Sequence, residues 1–258
     1  AWGLGYFGQP HILARFMSVK SPDKLTESMT IAIIWVFFSL AGAVVIGLVG
    51  IGMFDNLAVT EGEHEKVFIY MIDKVMHPWL AGIMLAAILS AIMSTIDSQL
   101  LVSSSALTED FYQKAIKRDP ASREPKDASE QEVIFVGRIC VVIISAIALV
   151  LALHPDDTIL MIVAYAWGGF GAAFGPLVLF GLFSRKTNWQ SALAGMVTGT
   201  VVLIVWKQVG LSSHLYEIVP GFVANCITIF VVNRIIGQKN ERVLQLYEEV
   251  VKVISKRK

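Results

Sequence analysis

The chain has 258 residues, 55% of them hydrophobic and only 16% charged, with a mean hydropathy of +0.64 and a formal net charge of zero. A soluble globular domain carries nearer a quarter charged residues, so this composition excludes an ordinary soluble fold, while the zero net charge is silent about nucleic acid. Cys140 and Cys226 lie inside apolar stretches and support neither a disulfide framework nor a metal site, only two small apolar packing residues.

The charges are segregated. Residues Met29–Phe54, Pro78–Ile96, Ile139–Leu153 and Thr158–Ser184 carry none. An uncharged apolar stretch of about 18 residues or more crosses the hydrocarbon core as a helix, and a soluble core has no room for several such helices in succession. The expected class is an all-α membrane protein. In chain order, the reading is a broken partial span at Ala1–Phe16, then full spans at about Met29–Phe54, Trp79–Thr108, Val133–Leu153, Thr158–Phe183, Gln190–Val209 and Ile218–Ile236. A short amphipathic helix is expected at Glu65–Met76. The span from Trp79 is too long for a simple crossing and must tilt or project into water at its C-terminal end. The transmembrane domain is thus 1–236, about six full spans plus the partial one, and 237–258 is an amphipathic tail with Val243, Leu246, Tyr247, Val250, Val251 and Ile254 on one face. Its cationic end, Lys256-Arg257-Lys258, suits anionic lipid as well as it suits water. The chain opens without methionine inside an apolar segment, and the expectation is a fragment whose N-terminal half is missing.

The loops carry an orientation. The first, third and fifth loops and the tail, with their flanks, hold eighteen of the 21 basic residues, among them Arg15, Lys20, Lys24, Lys117, Arg118, Arg123, Lys126, Arg185 and Lys186. Only Lys66, Lys74 and Lys207 fall on the other side, where Asp55, Glu61, Glu63, Glu65, Asp156 and Asp157 gather. Lys and Arg resist translocation, so the first set is expected in the cytoplasm.

Three segments depart from the plain apolar default, and departures are where function is written. In Trp2-Gly-Leu-Gly-Tyr-Phe-Gly-Gln-Pro-His11, three glycines and a proline make a continuous helix costly. Freed backbone at membrane depth is tolerated where it lines a cavity or is buried in protein, and secondary transporters use such broken helices to meet substrates and ions. Trp2 and Tyr6, about one turn apart, project on one side as an aromatic wall. Close helix packing with interfacial aromatics explains the same residues equally well. In Ser90-Ala-Ile-Met-Ser-Thr-Ile-Asp-Ser-Gln99, hydroxyls and carbonyls are the oxygen ligands that a hard cation such as Na⁺ wants. Hydroxyls bonded back to the carbonyl one turn earlier are the stronger plain alternative. Asp97, deep in a span, requires an aqueous route or a partner. In Tyr165-Ala-Trp-Gly-Gly-Phe-Gly-Ala-Ala-Phe-Gly-Pro176, small residues let backbones approach and Pro176 allows a bend, which serves a hinge or, more economically, static packing. No nucleophile–base pair, phosphate-binding loop, zinc spacing or dinucleotide fingerprint occurs, so nothing supports an enzyme.

These segments, with Trp2–Phe16, Ala91-Ile-Met-Ser-Thr95, Ser105-Ala-Leu-Thr-Glu-Asp-Phe-Tyr112, Tyr165–Pro176, Val205-Trp-Lys-Gln208 and Leu215-Tyr-Glu-Ile-Val-Pro-Gly221, resemble the C-terminal half of the sodium:solute symporter family, and within it the sodium/proline symporters. The resemblance implies a LeuT-like inverted-repeat core, of which this chain holds the second-half helices, with extra C-terminal transmembrane helices. It implies sodium-coupled uptake of L-proline across the plasma membrane by a multi-pass protein with a cytoplasmic C-terminus, Na⁺ as coupling ion and no organic cofactor. By the same resemblance, Trp2, Tyr6 and Pro10 match substrate-site positions, and Ala91 (carbonyl), Ser94 and Thr95 (hydroxyls) match sodium ligands. Asp97 and Ser98 match positions that carry a second sodium in some relatives. The remaining ligands are expected from the N-terminal half of the same transporter. The rival readings are a symporter of the same family for another small solute, since aromatic walls suit sugars too, a membrane sensor, and a channel.

Overall fold

The computed structural model describes residues 2–21, 24–54, 63–116, 129–153, 158–237 and 241–255, and every regular element among them is helical. Trp2–Gly5 (α1) tightens into a 3₁₀ turn at Tyr6–Gly8, and after Gln9 the chain restarts as Pro10–Met17 (α2). Lys24–Met53 (α3) follows, then Val67–Val75 (α4) behind a 3₁₀ turn at Glu63–Lys66, and Pro78–Ser105 (α5). After Glu130–Ala152 (α6) come Ile159–Phe183 (α7), Trp189–Gln208 (α8), Ile218–Ile236 (α9) and Glu241–Ser255 (α10).

Six of these helices are long and apolar enough to cross a membrane. They are the six full spans expected, with ends moved by small amounts. The first starts a turn earlier, at Lys24, where Lys24 and Glu27 pair at 2.8 Å on an exposed first turn. The larger difference is at the second. Its helix does not end near Thr108 but continues from Ala106 to Ile116 in the wider π-helical register. In this segment the buried Thr108 hydroxyl has no partner, and Ser105, Thr108, Glu109 and Arg138 line a cleft of about 500 Å³ against α6. A polar end on a long helix is what the sequence expectation of projection requires, but the change of register left no mark in the hydropathy.

The helices fall into two compact units, one of residues 2–17 with those from Ile159 onward, the other of the described residues between 18 and 158. In the second, α4 packs against α3 and α5, and α6 against α5 with its π-helical continuation. Lys74 Nζ donates to the Met53 carbonyl at 3.2 Å, occupying one of the acceptors that the end of α3 leaves open. None of the most apolar window of α3, α5 or α6 is buried by the chain. Such faces need an apolar phase outside the chain, as membrane helices do.

In the first unit α7, α8 and α9 pack on one another. Asn188 starts α8 with a capping box, Ser191 N donating to its Oδ1 at 2.8 Å, and its Nδ2 reaches the Gly237 carbonyl at 3.0 Å beyond the end of α9. Trp206 Nε1 donates to the Leu215 carbonyl at 2.9 Å and closes the α8–α9 connection. The tail helix α10 meets the α7–α8 turn through Arg185 and Glu248 at 2.8 Å and through Tyr247, whose hydroxyl donates to the Phe183 carbonyl at 3.3 Å. Val243, Tyr247 and Val250 face the same turn, whereas the side chains of Leu246 and Ile254 lie outside the description. Also outside it are Lys117, Arg118, Arg123, Lys126, Asp55, Glu61, Asp156, Asp157 and the cationic end Lys256-Arg257-Lys258.

Candidate functional site

The broken segment is built by three sequence features acting in turn. Gly5 and Gly8 carry no Cβ where α7 comes closest. A Cβ on Gly5 would stand 2.0 Å from Trp167 Nε1, and one on Gly8 would stand 2.2 Å from the Phe170 carbonyl oxygen. Gln9 has extended backbone (φ −82°, ψ 111°), which ends the first helical stretch. Pro10 then opens α2, where its missing N–H costs nothing because the first helical amides have no intrahelical acceptor.

Trp2 and Tyr6 do share a side, as their spacing predicts, and what they meet is Trp167 of α7. The Trp2 and Trp167 rings lie 5.6 Å apart and tilted, and Tyr6 stands edge-on to Trp167 at 5.2 Å and 80°. Both geometries suit the quadrupoles of aromatic rings. Trp167 Nε1 donates to the Trp2 carbonyl at 2.9 Å, and the buried Gln9 side chain donates to the Trp167 carbonyl at 3.3 Å. Trp2 and Tyr6 keep 42% and 50% of their surface accessible. Pro10 is exposed one turn further on.

The glycine-rich stretch of α7 turns out to be a packing face. Gly168, Gly171, Ala172, Ala173, Gly175 and Pro176 are buried. Pro176 lacks the amide that would bond the Ala172 carbonyl, and Asn225 of α9 supplies it: its Nδ2 donates to the carbonyls of Ala172 at 2.7 Å and Ala173 at 2.8 Å. A third carbonyl of α7, that of Ala164, accepts the Tyr216 hydroxyl.

On α5, Ala91, Ser94, Thr95 and Asp97 are exposed and Ser98 is half-buried. The Thr95 hydroxyl donates to the Ala91 carbonyl at 3.2 Å, and Ser98 Oγ to the Ser94 carbonyl at 2.8 Å. These are the back-bonds that hydroxyls make in membrane helices. They also bring two of the three oxygens singled out in the sequence, Ala91 O and Thr95 Oγ1, to one point on one helix face. The described residues contain no cluster of His, Cys, Asp and Glu able to hold a metal ion.

Sequence reasoning missed Trp167 and Gln9 as members of the broken-helix site. An indole inside a glycine-rich helix is a visible anomaly, but no local spacing connects residue 167 to residue 2.

Comparison with known proteins adds an independent line. The profile of the sodium:solute symporter family matches residues 1–199. The sodium/proline symporter of Salmonella typhimurium is 48% identical over 89% of the chain and 45% of its own length. The high-affinity proline transporter PutP of Bacillus subtilis is 46% identical over 90% of the chain and 48% of its own length. The Escherichia coli sodium/proline symporter is 47% identical, again over 89% of the chain and 45% of itself. The chain therefore spans about half the length of the curated relatives it matches. No solved structure matches it.

Proposed function

Because the chain belongs to the sodium:solute symporter family, we propose that it is the later half of a sodium-coupled symporter that takes up L-proline across the plasma membrane. The observation that carries this reading is the 46–48% identity to proline symporters and transporters over about nine-tenths of the chain. In this reading the described helices belong to a LeuT-like inverted-repeat core with extra C-terminal spans. An N-terminal half of the same transporter supplies the ligands that this chain lacks. Residues 1–236 form the membrane domain, and the tail lies in the cytoplasm, on the side holding eighteen of the 21 basic residues.

Sodium is assigned to Ala91, Ser94 and Thr95, with Asp97 and Ser98 as the positions for a second ion. The 3.2 Å between Ala91 O and Thr95 Oγ1 supports the first assignment. A cation about 2.4 Å from each oxygen would see them separated by roughly a right angle, as neighbours in six-coordination are. Binding there requires the Thr95 hydroxyl to turn its proton away from the carbonyl and its lone pair toward the ion. The exchange of a weak back-bond for an ion contact is cheap.

Proline is assigned to the face of Trp2 and Tyr6, with Pro10 beside it. An apolar five-membered ring lies well against aromatic faces. Coupling follows if sodium and proline each bind one conformation better than the other, and the effect is then reciprocal.

The test is labelled-proline uptake by the full-length protein in vesicles. Saturable uptake that stops when choline replaces sodium is expected, with unlabelled proline the best competitor in a panel of amino acids, sugars and pantothenate. Uptake indifferent to sodium, or better competition by a sugar, would refute the assignment.

A further inference from the structure

We propose that Trp167 is the positioning residue that fixes the cargo-facing wall of the broken helix, holding Trp2 and Tyr6 in register from α7. The proposal rests on the reading of Trp2 and Tyr6 as that wall. Three contacts, each physically distinct, converge on one residue. Its indole N–H donates to the Trp2 carbonyl at 2.9 Å. Its ring meets both other rings, at 5.6 Å and 5.2 Å. Its own carbonyl receives the Gln9 amide at 3.3 Å, from the far side of the break.

Each contact answers a need created by breaking the helix. A helix of only four residues holds itself weakly and gains from an outside donor to its backbone. The indole is such a donor, and it is rigid and apolar everywhere except at that N–H. It lies where Gly5 offers no side chain, since a Cβ there would overlap the indole at 2.0 Å from Nε1 and 2.2 Å from Cδ1. Gln9, 4% exposed, then returns a hydrogen bond to the same residue's backbone. Residues 2 and 9, on either side of the 3₁₀ turn, are thus tied to a single position of α7. Without the indole N–H, the turn keeps Gln9's tether but loses the one at its start, and the angle of the Trp2 and Tyr6 rings is no longer set.

The experiment uses the full-length protein and Trp167→Phe, which keeps an aromatic ring and removes the donor. The concentration of proline at half-maximal uptake should rise about five- to tenfold, the usual cost of one such bond. The maximal rate per transporter and the sodium concentration at half-maximal uptake should change less than twofold. A merely structural residue would lower the amount of transporter and its maximal rate without this split. A second readout needs no cargo. Gly3→Cys, at a position where a Cβ meets nothing within 4 Å, is introduced into the full-length protein with every native cysteine, Cys140 and Cys226 among them, replaced by serine, and its labelling by a water-soluble maleimide is timed without proline. Labelling should be several-fold faster when Trp167→Phe is added, because the turn is loosened. Unchanged labelling overturns the proposal whatever the uptake shows. An unchanged half-saturating proline concentration, in a protein that transports proline, overturns it equally. Faster labelling in a protein that takes up no proline would sustain the strut and refute the cargo.

Discussion

Asn225 donates its amide to the very carbonyl, that of Ala172, which Pro176 leaves without its helical partner. Proline inside a helix both deletes a bond and crowds the carbonyl four residues earlier. In a membrane no water is at hand to repair that loss. α9 repairs it with a fully buried side chain, so the bend allowed in α7 is clamped by its neighbour.

Replacing Asn225 by leucine should therefore destabilise the protein by about 1–2 kcal/mol, because the Ala172 carbonyl, already without its helical amide, is left buried and unpaired. Asn225→Asp should cost more, since a carboxylate would face the same oxygens without a proton to offer. Thermal unfolding of detergent-solubilised protein reads both, and a leucine variant as stable as the parent would show that the clamp contributes nothing.

Gly199 and Gly42 make a matched pair. A Cβ on Gly199 would stand 2.4 Å from the Ala172 carbonyl oxygen, which is backbone and cannot swing aside, whereas one on Gly42 meets nothing within 4 Å. Gly199→Ala should cost about 1–3 kcal/mol by overpacking. Gly42→Ala should be neutral or stabilising by up to about 1 kcal/mol, the helix-propensity gain alone. Equal melting temperatures for the two variants would contradict this.

Thr95→Val keeps the shape of the side chain and removes an oxygen. The sodium concentration for half-maximal uptake should rise roughly tenfold or more, the scale of one lost contact to a charged group. The proline dependence at saturating sodium should move far less. Unchanged sodium dependence would remove Thr95 from the ion site.

Burial first, and then the neighbouring Glu217 carboxylate, push the Tyr216 phenol up to about 12 from an ordinary 10.0. A folded value above the unfolded one favours the protonated form in the native state. The contribution of its bond to Ala164 is therefore complete below about pH 10 and is lost as pH rises from there through 12. Tyr216→Phe should be less stable than the parent at neutral pH, and the gap should close over that alkaline window. A gap that stays constant from pH 9 to 12 would show an ordinary phenol, with the same pKa folded and unfolded.

Much of the architecture was legible beforehand. Charge-free runs such as Met29–Phe54 follow from the thickness and dryness of the bilayer, which act on each segment separately, and so six spans could be counted without knowing how they touch. The break at Gly5–Pro10 was legible for the same kind of reason, because glycine and proline act on their own backbone. The continuation of α5 to Ile116 was not, since Glu109 and Asp110 end the apolar run there while the backbone goes on helical.

The sequence by itself determined how many helices are long and apolar enough to cross, where the first segment breaks and which residues bring oxygens or aromatic faces, all consequences of local chemistry. Only the tertiary structure decided which partner answers each freed backbone group. Trp167 reaches Trp2 across 165 positions and Asn225 reaches Ala172 across 53. A hydrogen bond depends on direction and on a few tenths of an ångström, and those are set by packing.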